Sequence, residues 1–113
     1  MSLQTFSADS APPAVPFVVA PKLDGDVLTI VIDGELDMAT VHLLEEAQRS
    51  MQGRYRALRY ELAGLDFMDS AGLRTLLAPP DCNVPISEIS IHHPTRAVRR
   101  LLELRDLQGM IAG

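Results

Sequence analysis

The chain has 113 residues, which is enough for one hydrophobic core and too few for two. Its formal net charge of −5 argues against a nucleic-acid-binding protein, which needs a cluster of positive charges. The arginines between residues 96 and 105 are interrupted by acidic residues, so they predict only a solvated helix face. A single cysteine, Cys82, excludes an internal disulfide, and no apolar run approaches the ~20 residues of a membrane span. We therefore expect a cytoplasmic protein with no direct nucleic-acid contact and no membrane insertion.

The first third of the chain predicts a tail followed by a hairpin. Residues 1–16 are rich in Ser, Ala and Pro and predict a disordered N-terminal tail, which leaves a folded domain over residues 17–113. Residues 17–20 and the β-branched run 27–32 predict two strands, since Asp24 and Gly25 between them form a turn signal. The unbroken apolar character of the second run predicts a central strand covered on both faces, which residues 33–37 then end.

Helices and strands alternate in the remainder. Asp37 is predicted to cap a first helix over about residues 38–52, with Leu44 and Ala47 on its apolar side and Gln48 on its polar side. A strand over 57–62 follows, then a second helix that ends before Pro79, a strand over 86–91, and a third helix over about 94–109. The order β-β-α-β-α-β-α predicts a single α/β domain, with a mixed central sheet and helices packed on it.

The stretch Asp66-Phe67-Met68-Asp69-Ser70-Ala71-Gly72-Leu73 follows the predicted strand over 57–62 and leads into the second helix. It predicts the end of a strand, an exposed hydroxyl and the start of a helix within a few residues. Asp69 and Ser70 are both favourable N-cap types. Ser70 can therefore be a nucleophile, a phosphate acceptor, or only a helix cap.

The nucleophile interpretation fits poorly. A nucleophile elbow requires glycine two residues before the serine, where this chain has Met68, and the carboxylate of Asp69 would oppose a developing oxyanion. No histidine can be assigned as a base from its spacing. His42, His92, His93 and Cys82 also lack metal-ligand spacing, and phosphate-binding glycine loops are absent from the sequence. We expect neither enzymatic activity nor a cofactor or metal.

The phosphate-acceptor interpretation has a physical basis. Asp69 can cap the helix in place of Ser70, and this would leave the hydroxyl exposed. If the two strand-to-helix loops share one sheet edge, Glu35, Asp37 and Asp66 join Asp69 around that hydroxyl. A phosphate would add ~1.5–2 negative charges to this acidic rim and repel a partner with little change in fold.

Three stretches together resemble the STAS domain, a family named after sulphate transporters and anti-sigma factor antagonists. They are Gly34-Glu35-Leu36-Asp37, the stretch 66–73 containing Asp-Ser-x-Gly-Leu, and residues 94–102. The resemblance covers residues 17–110 and is to the stand-alone type, which is mostly bacterial anti-sigma factor antagonists. Two features depart from the family: Pro79-Pro80 shortens the second helix, and the chain stops at Gly113.

The resemblance implies a function. Ser70 matches the serine that is phosphorylated by a partner anti-sigma factor. That partner is a serine kinase, which itself binds ATP and Mg. The unmodified form of the family member binds the partner and so frees the sigma factor. The partner-binding residues implied are Asp37, Asp69, Ser70, Ala71, Gly72 and Arg74. We expect a monomer or weak dimer. The alternatives are the STAS subunit of an ABC-type lipid transport complex, docked on its ATPase, and a stressosome-like scaffold.

Overall fold

A five-stranded mixed sheet forms the centre of the structure, a computed structural model that describes residues 16–80 and 84–113. The strands are β1 (Val18–Asp24), β2 (Val27–Leu36), β3 (Ala57–Glu61), β4 (Leu65–Met68) and β5 (Ile89–His92). The helices are α1 (Val41–Ser50), α2 (Ser70–Leu77) and α3 (Arg96–Leu104). The predicted tail, apart from Pro16, and Cys82 lie outside the described residues.

The long strand β2 organises the sheet. It pairs antiparallel with β1, parallel with β3 over its first half, and parallel with β4 at its carboxyl end. Strand β5 lies parallel on the other side of β3. The predicted α/β class, mixed sheet and packed helices are confirmed, and the structure adds β4 as a strand separate from β3 where the sequence predicted only the end of a strand.

Strand β2 is covered on one face and not on both. Leu28, Ile30 and Ile32 are fully buried, whereas the alternating Val27 and Val31 are only half-buried. The buried set packs with apolar side chains of all three helices in one core. An apolar run therefore predicted a strand correctly but not its burial, because β-branched residues also occupy the half-exposed face of an antiparallel pair.

Glycine 34 lets β2 continue where a break was predicted. Its φ of +107° accompanies a register shift between Gly34 and Glu35, after which Glu35 pairs with Phe67 and Leu36 with Met68 of β4. A Cβ at Gly34 would lie 2.7 Å from the carbonyl oxygen of Pro16. The positive φ and this close approach both require glycine, so the residue allows the strand to bend toward β4 rather than ending it.

Two boundaries differ from the prediction for a common reason, which is that local turns replace regular structure. Residues 38–40 form a turn before α1, so Asp37 does not cap that helix. Ile86–Glu88 form a 3₁₀ turn ahead of β5. In both places the residues next to a regular element hydrogen-bond within a short turn, which apolar periodicity does not reveal.

Helix α3 ends earlier than the predicted boundary at Gly109 because Asp106 adopts the left-handed conformation, with φ +59°. The amide of Asp106 donates to the carbonyl oxygen of Glu103, and that of Leu107 donates to Leu102. This pair of bonds is a Schellman motif, in which the left-handed residue follows the helix cap. Aspartate tolerates that conformation better than most residues, so a helix stop was present without a glycine.

Candidate functional site around Ser70

Ser70 is the first residue of α2, and its side chain is exposed. The preceding Asp69 is the N-cap residue, and its Oδ1 accepts a hydrogen bond of 2.9 Å from the amide of Gly72. The cap position is therefore filled by Asp69, as one sequence interpretation required. The hydroxyl of Ser70 points outward from a helix start that does not depend on it.

Gly72 allows the start of α2 to lie in close contact with the end of β2. A Cβ at Gly72 would lie 2.7 Å from the carbonyl oxygen of Leu36 and 2.9 Å from Cγ of Met68. The residue is buried, so no side chain can be accommodated without displacing the strand ends. The Asp-Ser-x-Gly sequence thus has two structural functions, a carboxylate cap and a close helix-to-strand contact.

Asp37 and Asp69 follow neighbouring strand ends. Leu36 pairs with Met68, and the amide of Asp69 donates to the carbonyl oxygen of Leu36 over 3.2 Å. Asp37 stabilises the turn that it begins, because its Oδ1 accepts a hydrogen bond of 3.0 Å from the amide of Ala39. The predicted convergence of the two loops at one sheet edge is therefore present, because β2 and β4 are parallel neighbours.

The other acidic residues of the predicted rim lie further back along the same pair of strands. Glu35 and Asp66 are both exposed, and Glu35 pairs with Phe67, whose side chain is also exposed. This edge consequently presents four carboxylates together with an aromatic ring. Such a surface is mixed in character, with a negative field around an apolar contact point.

A basic side chain that was expected to be solvated contacts Ser70 directly. Arg105 is the C-cap residue of α3, and its Nη2 donates a hydrogen bond of 2.6 Å to Oγ of Ser70. Arg105 is exposed, as predicted for a solvated face, but it lies just beyond the last residue of α3, Leu104, and its guanidinium also donates to Ser70. The left-handed Asp106 was the one sequence signal, and it is weak without a glycine.

An open cavity of about 470 Å³ adjoins this hydrogen bond between α2 and the end of α3. It combines one hydroxyl, two guanidinium groups and three leucine side chains; its lining residues are Ser70, Leu73, Arg74, Leu77, Arg105 and Leu107. The predicted partner-binding residue Arg74 is exposed in its wall, while Ala71 is half-buried in the first turn of α2. The cavity beside Ser70 is thus lined by basic and apolar side chains, whereas the acidic residues lie at the ends of β2 and β4.

This arrangement bears on what Ser70 can do chemically. In the described part of the chain, the side-chain hydrogen bond at the Ser70 hydroxyl comes from Arg105. A guanidinium cannot accept a proton, so Arg105 cannot act as the base that activates a serine nucleophile. Within residues 16–80 and 84–113, no group of three His, Cys, Asp or Glu side chains is placed to hold a metal ion. The geometry suits recognition or modification of the hydroxyl by another molecule.

The three histidines lie on other elements: His92 ends β5, His93 follows it, and His42 is on α1. His93 Nδ1 lies 2.8 Å from Oε1 of Glu61, and His92 contacts Ser90 through its Nε2 at 2.9 Å. Burial, and then the nearby guanidinium of Arg59, lower the pKa of His92. His42 is exposed on α1, as the sequence indicated. None of these rings contacts Ser70.

A family model described as "Mlab, STAS domain" matches residues 19–112. The chain belongs to the STAS domain family. The match spans every strand and helix of the fold apart from the first residue of β1, so the family assignment rests on the whole domain rather than on the Ser70 motif. No curated protein sequence matches this STAS domain. Among the described residues, no helix is long and apolar enough to cross a membrane.

Solved structures of similar proteins share the fold. An anti-sigma factor antagonist from Mycobacterium paratuberculosis is 28% identical, with a TM-score of 0.69 over 90% of this chain and 86% of that chain. The anti-sigma factor antagonist SpoIIAA in its unphosphorylated form is 20% identical, with a TM-score of 0.66 over 86% of each chain. The Bacillus cell fate determinant SpoIIAA in its phosphorylated form is 19% identical, with a TM-score of 0.65 over 86% of this chain and 89% of that chain.

Proposed function

We propose that this STAS domain is an anti-sigma factor antagonist, and that phosphorylation of Ser70 switches it off. The unmodified domain binds an anti-sigma factor that is a serine kinase and so frees the sigma factor. The kinase, which itself binds ATP and Mg, then modifies Ser70, and the modified domain no longer binds. The chain is a substrate and binding module in the cytoplasm, and not an enzyme; we expect it to be a monomer or weak dimer.

The observation that carries the proposal is the exposed Ser70 hydroxyl on a helix start held by other groups. Asp69 supplies the cap and Gly72 the close contact with β2, so modification of Ser70 removes neither of these interactions. In the transfer, Oγ of Ser70 forms a bond to the γ-phosphorus of ATP, the bond from that phosphorus to the β–γ bridging oxygen breaks, and ADP leaves. The hydroxyl proton passes to a base of the kinase.

The proposed partner surface is the sheet edge around the hydroxyl. It consists of Asp37, Asp69, Ser70, Ala71, Gly72 and Arg74, which the fold brings to the ends of β2 and β4 and the first turns of α2. A phosphate adds ~1.5–2 negative charges there. Beside Asp37 and Asp69, that charge disfavours any partner that docks an acidic or apolar group on this edge.

The solved structures described above support this function over the alternative. Two of the three structures are named as anti-sigma factor antagonists, and the third is SpoIIAA again, in its phosphorylated form. The subunit of an ABC-type lipid transport complex is not favoured, although the matching family model is described as Mlab.

The test uses the purified chain, its anti-sigma factor, ATP and Mg. We expect mass spectrometry to place one phosphate on Ser70 and none after Ser70→Ala, with Ser87→Ala as control because Ser87 is an exposed serine in the 3₁₀ turn. Ser70→Ala should keep binding in the presence of ATP, whereas Ser70→Asp should weaken it about tenfold or more. Phosphate on another residue, or wild-type binding by Ser70→Asp, would contradict the switch.

A further inference from the structure

Two guanidinium groups flank Ser70, and within residues 16–80 and 84–113 neither has a carboxylate oxygen within 4 Å. Arg105 donates to the Ser70 hydroxyl, and Arg74, one helical turn along α2, lines the same cavity. In the described part of the chain, the ion pair within 4 Å joins His93 to Glu61. Among the described residues, no bound acidic side chain therefore offsets the positive charges of Arg74 and Arg105.

We propose that Arg105 and Arg74 form an intramolecular binding site for the phosphate group of phosphorylated Ser70; this inference rests on the modification of Ser70 proposed above. The phosphate oxygens would lie two bonds beyond Oγ, the atom that Arg105 Nη2 already approaches at 2.6 Å. A guanidinium presents several N–H donors in a fixed fork that matches phosphate oxygens in pairs. After phosphorylation, Arg105 is thus placed to donate to the doubly charged phosphate instead of the hydroxyl oxygen.

The surroundings of the two arginines favour this exchange. The cavity of about 470 Å³ is open to solvent and has room for a phosphate, and Leu73, Leu77 and Leu107 provide its apolar walls. Arg105 is held by its backbone, because its amide donates to the carbonyl oxygens of Leu101 and Leu102 at the end of α3. The side chain alone has to move.

The site would alter the consequence of phosphorylation. Asp69 cannot hold the phosphate, because its carboxylate is negative and already accepts the amide of Gly72. The two arginines would offset part of the added charge and connect the start of α2 to the end of α3. Arg74, a proposed partner-binding residue, would then be occupied by the phosphate, so the partner would lose a cationic contact as well as meeting a negative one.

The experiment installs phosphoserine at residue 70 during translation, without a kinase, and titrates the phosphate by ³¹P NMR at low ionic strength. Nearby cations stabilise the dianion, so we expect its second pKa to rise by about half a unit or more in Arg105→Gln, and to rise further in the Arg105→Gln Arg74→Gln double variant. Arg100→Gln is the matched control, because Arg100 is an exposed arginine on the same helix outside this cavity. Thermal unfolding of each unmodified variant checks that the fold is retained.

Each result decides the inference. A phosphate pKa that is the same in the wild type and the double variant overturns it, as does an equal rise in Arg100→Gln. The outcome is separable from the proposed function by measuring binding of the same phosphoserine protein to the anti-sigma factor. Loss of binding with no arginine-dependent pKa leaves the switch intact and rejects the phosphate site. An arginine-dependent pKa with unchanged binding supports the site and rejects the switch.

Discussion

The hydroxyl of Ser70 and the guanidinium of Arg105 are joined by a hydrogen bond of 2.6 Å, although 35 residues separate them in the chain. The bond connects the first residue of α2 to the cap of α3, beside a cavity lined by basic and apolar side chains. It exists because α3 stops at a left-handed aspartate. The environment of the hydroxyl is therefore controlled by a helix end rather than by the Ser70 motif alone.

Replacing Gly72 with alanine should destabilise the domain by about 1–3 kcal/mol, measured by urea unfolding. The added methyl group would overlap the Leu36 carbonyl and the side chains of Leu36 and Met68, and the higher helix propensity of alanine offsets only part of that cost. Gly109→Ala is the matched control, since a Cβ there meets nothing within 4 Å, and we expect a change of about 0.5 kcal/mol or less. Equal effects would mean that α2 does not contact β2 this closely.

Asp106→Gly should stabilise the protein by about 1 kcal/mol, because glycine adopts the left-handed conformation without the steric cost that an L residue carries. Asp106→Ala keeps that cost and removes the favourable local interactions of aspartate, so it should be less stable than the wild type. Thermal unfolding of the three proteins measures both effects. If glycine and alanine were equivalent at this position, the Schellman motif at the end of α3 would be ruled out.

Gln48→Glu should destabilise the fold by about 3 kcal/mol or more at neutral pH. Gln48 is fully buried, and its Nε2 donates to the hydroxyl of Tyr60 at 2.9 Å and to the carbonyl oxygen of Thr75 at 3.2 Å. A carboxylate in that position loses both donations and is buried without a cation. Because burial raises the pKa of a carboxyl group, the loss of stability should shrink as the pH falls.

The control for this substitution is Gln52→Glu, at an exposed position just beyond α1. Urea unfolding of the two variants at neutral and acidic pH separates burial from the change in net charge, which is the same in both. A comparable destabilisation by the two glutamates would indicate that Gln48 is solvent-exposed.

His92 should make stability depend on pH in a defined direction. Its pKa is lowered from the ordinary value of 6.5 by burial and by Arg59, so the unfolded chain binds a proton more readily than the folded one. The contribution of neutral His92 is fully present above pH 6.5 and is lost as the pH falls through that value toward the lower folded pKa. Melting temperature against pH should consequently fall less steeply below neutrality in His92→Gln than in the wild type.

His42→Gln is the control, because His42 is exposed on α1. His93 and its contact with Glu61 are present in the wild type and both variants, so the difference between the profiles reports on His92. A steeper profile in His92→Gln would reverse the expected sign and contradict the lowered pKa.

The sequence alone determined the class of fold, the start of α2 and the position of the serine. These features depend on local chemistry, since apolar periodicity identifies strands and helices and an aspartate before Ser70 caps the helix through its own side chain. The same local signals misplaced Gln48 on the polar side of α1 and ended β2 at residue 33. They also extended the third helix to Gly109.

Tertiary structure decided what surrounds Ser70. The burial of Gln48 depends on Tyr60 and Thr75, which reach it from β3 and α2, and the continuation of β2 depends on its pairing with β4. Arg105 reaches Ser70 because α3 packs on β4, the strand that leads into α2. Contacts between residues far apart in the chain arise from the packing of whole elements, and residue periodicity within one element carries no information about them.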